Sequence, residues 1–307
     1  MKFITLFALA IGPFGISSCD WLGGDDHSDP GTQIPNTELF QPLHSGTASY
    51  YVRVSPDCKS LLLIPPFYDT IGSNGTLLLD LETYEKKSIT TEYLGSADWS
   101  PDSRWIVYEG YSNVWKDIFK IKSNGDSITQ LTFDGISALP IWSPNGKWIV
   151  YSHVMDPGKG VWLMRPDGTE KSWAFLAQGS SWHPDGDKII CERDFDGFPI
   201  YSVNQGRVVD TLKAVKYETN INPKYSPDGK RILFRNYLGT YVMDANGKNI
   251  RIIFRFPEDP SQDFDWLASW YSNDQIIYNH FRVTRYVQNN LGEYYEGYAS
   301  LYIKRIN

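Results

Sequence analysis

The stretch WSPNGKWIVYSH, Trp142 to His153, is one of six related passages in this 307-residue chain. Upstream stand VSPDCKSLLLIP from Val54 and WSPDSRWIVYEG from Trp99. Downstream come WHPDGDKIICER from Trp182, YSPDGKRILFRN from Tyr225 and a worn WYSNDQIIYNH from Trp270. The prolines of the first five copies, Pro56, Pro101, Pro144, Pro184 and Pro227, stand 45, 43, 40 and 43 residues apart, and Trp270 follows Tyr225 by 45. A period in the low forties means one supersecondary unit per repeat. Within each copy, an aromatic residue or Val leads into Ser-Pro-Asp-Gly or a variant, then into an alternating apolar run. Proline presets φ for a turn, Asp or Asn bonds its own backbone, and Gly supplies the positive φ that ends it. The unit is therefore strand, tight turn, strand.

A second hairpin follows each first one: DIFKIKSNGDSITQLT from Asp117, GVWLMRPDGTEKSWAFL from Gly160, PIYSVNQGRVVDTL from Pro199 and GTYVMDANGKNIRIIF from Gly239, with a degenerate GTLLLDLETYEKKSIT from Gly75. Two hairpins make a four-stranded antiparallel sheet, and six such sheets without a long helix between them predict radial packing into a β-propeller. Composition agrees, because 15% of the residues are aromatic and Gly and Pro punctuate the chain, which favours short strands and turns over helices. The fold class is all-β: a six-bladed propeller of four-stranded antiparallel blades over residues 37–307.

These quoted repeats resemble the WD-like repeats of TolB-type propellers, found also in the propeller domains of prolyl oligopeptidases. The resemblance covers about 37–307 and rests on five copies of Ser/His-Pro-Asp/Asn at regular spacing. The chain contains no Trp-Asp dipeptide, so the eukaryotic WD motif is absent. The sixth repeat stops after its third strand, SLYIKRIN, while TELFQPLHSG, Thr37 to Gly46, aligns with the fourth-strand segment SITQLTFDG. The N-terminal strand is thus expected to close the last blade, Thr37 to Leu43 pairing with Ala299 to Arg305. Cys58 in blade one and Cys191 in blade four face each other across such a ring, too far for a disulfide, and both are expected to be unpaired.

The N-terminus carries Lys2, an apolar run from Phe3 to Ile16 and ISSC ending at Cys19, which together have the three regions of a secretion signal. The run is too short to span a bilayer. A Cys after small residues resembles the bacterial lipobox, which implies lipidation of Cys19; the alternative is an ordinary signal peptide with an incidental Cys. Residues 1–18 are then a lipoprotein signal peptide and 19–36 an acidic flexible tether, rich in Gly and Pro. Its Asp residues resemble surface-export signals of some Bacteroidetes lipoproteins, or they serve solvation alone. The localisation expected is the cell envelope, lipid-anchored and with the outer membrane favoured.

A net charge of -7 and a pI near 5.3, without a Lys/Arg cluster, argue against nucleic acid as a partner. Catalytic motifs are missing: no Gly-x-Ser-x-Gly elbow, no His-Glu-x-x-His, no Cys-x-x-Cys and no glycine-rich phosphate loop. The variable loops after each second strand share one face of a propeller. They hold the candidate ligand-binding residues Tyr68, Asp69, Tyr111, Trp115, Arg193, Asp194, Tyr237, Arg282 and Arg285. Aromatics mixed with charges at a concave mouth serve sugar or peptide recognition through stacking and directed hydrogen bonds. The reading is a monomeric, non-catalytic binding module for an envelope protein or a glycan, with no catalytic residues, no cofactor and no metal. Its rival is a metal-dependent polysaccharide lyase or glycoside hydrolase using His44 and His280 as neighbours at the closing blade, since propeller lyases acting on uronate oligosaccharides place His clusters in such a mouth.

Overall fold

A computed structural model describes residues 32–33, 39–44, 51–64, 76–90, 94–112, 115–155, 158–192, 197–215, 220–256, 264–289 and 292–306. Two short strands, β1 (Thr32–Gln33) and β2 (Leu39–His44), precede the repeats. Blade one is β3 (Tyr51–Val54), β4 (Ser60–Ile64), β5 (Thr76–Asp80) and β6 (Lys86–Thr90); blade two is β7 (Ala97–Trp99), β8 (Trp105–Ser112), β9 (Trp115–Lys122) and β10 (Thr129–Gln130). Blade three is β11 (Ser137–Trp142), β12 (Ile149–His153), β13 (Gly160–Met164) and β14 (Ser172–Phe175); blade four is β15 (Gln178–Trp182), β16 (Lys188–Glu192), β17 (Phe198–Ser202) and β18 (Arg207–Leu212). Blade five is β19 (Ile221–Tyr225), β20 (Arg231–Asn236), β21 (Gly239–Asp244) and β22 (Arg251–Arg255), and blade six contains β23 (Phe264–Trp270), β24 (Gln275–Asn289) and β25 (Gly292–Arg305). Every sheet is antiparallel; strands follow chain order in blades one to five, whereas in blade six β1 and β2 lie beside β25, and the first strand of each blade touches the first strand of the next, β23 returning to β3. The molecule is the expected six-bladed propeller, without a helix among the described residues.

The core lies between blades, which explains why the second strands read as continuous apolar runs. In β4, Leu61 and Leu63 pack against Tyr271, Ile277 and Ile303 of blade six, while Leu62 and Ile64 pack against Trp99, Ile106 and Tyr108 of blade two. Alternation thus persists, but both faces are buried, so both sets must be apolar. The same division recurs at the other four interfaces, with Trp142, Trp182, Tyr225 and Trp270 each embedded in the contact with the preceding blade.

The repeated turn is held by its own polar residues. Ser Oγ donates to the Asp two positions on, at 2.6 Å in Ser55/Asp57 and Ser100/Asp102 and 2.7 Å in Ser226/Asp228, and it accepts the N–H five residues ahead, as in Ser60, Trp105 and Arg231. The position of positive φ is Gly146, Gly186 and Gly229 in three blades, but Cys58 and Ser103 adopt it in the first two. Gly229 has a second reason to be glycine, because a Cβ there would stand 2.4 Å from His183 Nε2 of the preceding blade's turn.

Inner strands have one edge facing the axis, and the next blade's side chains reach over it. Trp99 Nε1 donates to Arg53 O (3.1 Å), Trp182 Nε1 to Ile141 O (3.3 Å) and Trp270 Nε1 to Lys224 O (2.9 Å). In the opposite sense, Asp98 Oδ2 accepts Trp142 N (2.9 Å) and Ser181 Oγ accepts Tyr225 N (3.2 Å). Bulges in β11, β15, β19 and β23 displace further N–H groups, of which Leu139 N reaches Glu109 Oε2 (3.3 Å) and Asn222 N reaches Glu192 Oε2 (2.8 Å).

Three expectations need correction. The N-terminal strand does pair with the last strand, but Leu39–His44 lies against Tyr294–Ala299, and Thr32–Gln33 takes Tyr302–Ile303. Thr32–Gln33 belongs to the blade even though it falls ahead of residue 37. The reason is the second correction: FRVTRYVQN and GEYYEGYA are no loop but the far half of a long β24–β25 ribbon, whose β-branched and aromatic residues continue the ladder from Gln275↔Arg305 to Asn289↔Gly292 and so lengthen the edge that β2 can cover. Thirdly, Cys191 is buried and free as expected, but Cys58 is disulfide-bonded to a partner outside the described residues. The separation argument applied only to the Cys58–Cys191 pair.

Trp99 and Trp142 offer a matched test of the inner-edge bonds, since both are buried and Trp142 Nε1 finds no partner among the described residues. Trp99→Phe removes the indole bond to the Arg53 carbonyl and is expected to cost about 1–3 kcal/mol more than Trp142→Phe, which removes a donor that bonds no described residue. Equal losses in urea unfolding contradict this.

Candidate functional site

The face bearing the loops after each second strand carries its best-defined surface at blades two and three. β8 and β9 pair to their tips, Ser112 opposite Trp115 and Tyr111 opposite Lys116. The link after β10 is folded onto this hairpin by Asp117, which is buried and accepts Thr132 Oγ1 (2.9 Å), Asp134 N (3.1 Å) and Gly135 N (3.2 Å). Lys116 N donates to Gly135 O (3.2 Å), and a Cβ on Gly135 would lie 2.9 Å from Trp115 Cβ, so the Trp115 side chain sits directly on a glycine held at φ 72. The consequence is outward presentation of rings on a rigid base: Phe133 is 77% exposed, Trp115 54% and Tyr111 37%.

Beneath them Lys116 Nζ lies 2.6 Å from Glu109 Oε1 and 5.9 Å from the Tyr111 ring centroid. Burial penalises the Lys116 charge, but the bond and the charge of Glu109 outweigh it and hold the ammonium above its ordinary value. Glu109 thereby joins the platform to blade three through Leu139 N.

Asp134 continues the surface. It accepts Ser137 Oγ at 2.8 Å and Ile136 N at 3.0 Å, and stands 3.3 Å from His153 Nε2, a contact without directed hydrogen-bond geometry. The His153 ring is buried and stacks on Trp162, centroids 4.4 Å apart, and Trp162 pairs across strands with Trp173, which is 52% exposed. Burial pushes the His153 imidazole below its usual range, with Asp134 opposing.

On blade six, His280 Nδ1 lies 2.9 Å from Asp265 Oδ1, both side chains half-buried, with the Tyr302 ring edge-on to the imidazole. His44 does not join it. His280 lies opposite Ser300, whereas His44 lies opposite Tyr294, six residues along β25, or about 20 Å at strand spacing. Among the described residues, no group of three or more His, Cys, Asp or Glu could hold a metal ion.

Of the other residues marked by the sequence, Tyr237 stands 70% exposed on the tight turn of blade five, Arg282 is exposed on β24, and Arg285 lies opposite Glu296 in the ribbon. Tyr68, Asp69, Arg193 and Asp194 lie outside the described residues. Tyr111 and Trp115 are brought together; Tyr237 and Arg282 sit on separate blades. Sequence reasoning missed Phe133, Lys116, Glu109, Asp134 and Trp173. A signal was present for Phe133, an apolar residue in the polar link TFDG where no strand pattern demands one.

No family model and no curated protein matches the sequence. Solved structures do match in fold. A TolB from Agrobacterium tumefaciens superposes with a TM-score of 0.53 at 18% identity, covering 75% of this chain and 96% of that one. TolB from Acinetobacter baumannii gives 0.54 at 17%, covering 83% of this chain and 64% of that one. An oligogalacturonate lyase in complex with manganese gives 0.53 at 13% and 88% of each chain. Likeness at this identity establishes the propeller and nothing about a ligand.

The sign of the His153 effect is testable. A histidine whose folded pKa is depressed contributes stability above its unfolded pKa, near 6.5, and that contribution is lost as the pH falls below it. Unfolding free energy measured from pH 7.5 to 5 is expected to fall less steeply in His153→Gln than in the wild type; parallel curves contradict the burial argument.

Proposed function

We propose that this chain is a lipid-anchored propeller of the bacterial cell envelope, outer membrane favoured, that acts as a monomer and binds a protein partner or a glycan at its loop-bearing face without chemistry. The observation that carries the reading is the Trp115–Phe133 platform. Large rings standing 54% and 77% exposed forgo burial energy, while the Asp117 network and Gly135 leave them little freedom to fold back. A rigid aromatic surface with Lys116, Glu109 and Asp134 at its margin loses little entropy on binding and offers both stacking and charge-assisted bonds. Tyr237 and Arg282 extend the face toward blades five and six.

The envelope assignment draws on the apolar run before Cys19 and on the fold shared with TolB proteins. A thiol is used once. Lipidated Cys19 has no sulfur to give to the Cys58 disulfide, so mass spectrometry of the mature N-terminus decides between the two uses. Lipidation predicts a diacylglyceryl-Cys19 peptide, and Cys19→Ser then moves the protein from the membrane to the soluble fraction. An unmodified Cys19, with the variant still in membranes, rejects the anchor.

The competing lyase reading finds support in the His280–Asp265 pair, a potential base on the same ring. Screening the pure protein against envelope extracts and acidic oligosaccharides separates the two. Retention without product, reduced at least tenfold in Trp115→Ala and Phe133→Ala while the fold persists, supports the binding module. Chelator-sensitive release of unsaturated ends, abolished in His280→Ala, overturns it.

A further inference from the structure

Two pairs of a ring and a carboxylate meet at the β8–β9 hairpin. In the first, Tyr111 and Glu109, the cation is the chain's own: Lys116 Nζ lies 2.6 Å from Glu109 Oε1 and 5.9 Å from the centre of the Tyr111 ring. The second pair is Trp115 and Asp134. Lys116 and Ile136 form a parallel bridge, which runs the link after β10 alongside the start of β9 and sets Gly135 against Trp115. A Cβ built on Gly135 would stand 2.9, 3.2 and 3.5 Å from Trp115 Cβ, Cγ and Cδ2. Asp134 is the next residue of the link, its Cα about 3.8 Å from that of Gly135. Trp115 is 54% exposed and the Asp134 side chain 33%, so both are reached from solvent.

The charge of Asp134 has no lysine or arginine against it. Its carboxylate accepts Ser137 Oγ (2.8 Å) and Ile136 N (3.0 Å), both neutral donors, and among the described residues its one ion-pair neighbour is His153, with Nε2 at 3.3 Å from Oδ2. Around that imidazole stand Asp134 from the link, Ser137 from β11, Tyr151 from β12 itself, Gly158, and Gly160 and Trp162 from β13. Of these only Asp134 is charged, because burial raises the Tyr151 phenol above its usual range. Burial also lowers the imidazole's affinity for a proton by more than Asp134 restores it, so His153 is neutral at pH 7. A carboxylate one-third open to water thus stands beside an exposed indole without an internal counterion, in a chain whose net charge of -7 draws cations.

We propose that Trp115 and Asp134 bind the guanidinium of an arginine side chain carried by a protein partner. A guanidinium lies flat on an indole while its N–H fork meets a carboxylate, so one group receives stacking, cation–π attraction and charge-assisted bonds. Tyr111, Lys116 and Glu109 show the same combination made within the chain. The inference rests on the platform being the binding surface, and narrows its ligand from a protein or a glycan to a basic protein. Protonation of His153 sets an internal cation under Asp134, so acid weakens the site.

The probe is Nα-acetyl-arginine methylamide, titrated into the isotope-labelled full chain at pH 7.5 and constant ionic strength while the Trp115 indole N–H resonance is followed. Its uncharged isostere, Nα-acetyl-citrulline methylamide, is the control. Saturable movement of the resonance by the arginine probe is expected, with the control weaker by about tenfold or more. Asp134→Asn keeps the side-chain shape and removes the charge, and is expected to weaken the arginine probe severalfold while leaving the control unchanged. Lowering the pH from 7.5 to 5 weakens the arginine probe in the wild type and does so less in His153→Gln; identical pH profiles reject the part assigned to His153. Equal binding of the two probes by the wild type, which needs no variant, overturns the proposal, as does undiminished arginine binding in Asp134→Asn. The two readings of this surface fail separately. If the wild type retains a component of envelope extracts that Trp115→Ala loses, but the arginine probe moves no resonance, the platform stands and its arginine ligand falls; if extracts are not retained and the probe does not bind, both fall.

Discussion

Six innermost strands each present an unpaired edge to the axis of this molecule, and satisfying those edges is the constraint on which the rest depends. A sheet edge carries backbone N–H and C=O groups that are costly to leave unmade in a confined channel. Here the neighbouring blade satisfies them. The indoles of Trp99, Trp182 and Trp270 cap carbonyls of the preceding blade, while Asp98, Ser181, Glu109 and Glu192 accept N–H groups of the following one. A residue that does this must sit at a fixed place in the repeat, which is why an aromatic recurs directly before the turn in most copies. The tryptophan also fills the interface between blades, so one side chain meets an apolar and a polar demand together.

That solution leaves functional positions free to vary. The interfaces require apolar residues at β-strand positions buried on both sides, and the turns require Ser, Asp and a residue tolerant of positive φ. Neither demand reaches the hairpin tips or the residue before the opening aromatic. The first set varies into Tyr111, Trp115 and Tyr237, which with Phe133 of the link after β10 are exposed on one face. The second varies into Arg53, Asp98, Ile141, Ser181, Lys224 and Ser269 on the axis. Exposed rings on a rigid mount are unfavourable for stability alone, and departures of that kind collect at functional places.

Blade six is where the repeat breaks. β24 and β25 run 15 and 14 residues, far beyond the length used elsewhere, and the edge they expose is covered by the N-terminal strands β1 and β2. Closure joins the two ends of the chain through backbone hydrogen bonds, so the ring is held without requiring a covalent link between blades. The same extension separates His44 from His280, because strands that pair over a greater length carry residues of the N-terminal segment far along the ribbon.

By itself the sequence determined the number of blades, the four-stranded antiparallel plan, the turn chemistry and the use of the N-terminal segment to cover the last blade, though not the residues that pair there. All of these follow from a period near 43 and from local stereochemistry, namely Pro, Asp and Gly at fixed offsets and alternation along a strand. It also marked Tyr111 and Trp115, which share one hairpin and are close in the chain. What it could not express is proximity between blades. Asp134 meets His153, and the link that carries Phe133 and Gly135 meets Trp115, only because Asp117 folds that link back over a hairpin. Nor could it distinguish the β24–β25 ribbon from a loop, since its alternation is read against water in a sequence and against a partner strand in a fold. The tertiary structure decided these points because each depends on groups that no periodicity relates, brought together by burial at an interface or by closure of a circle.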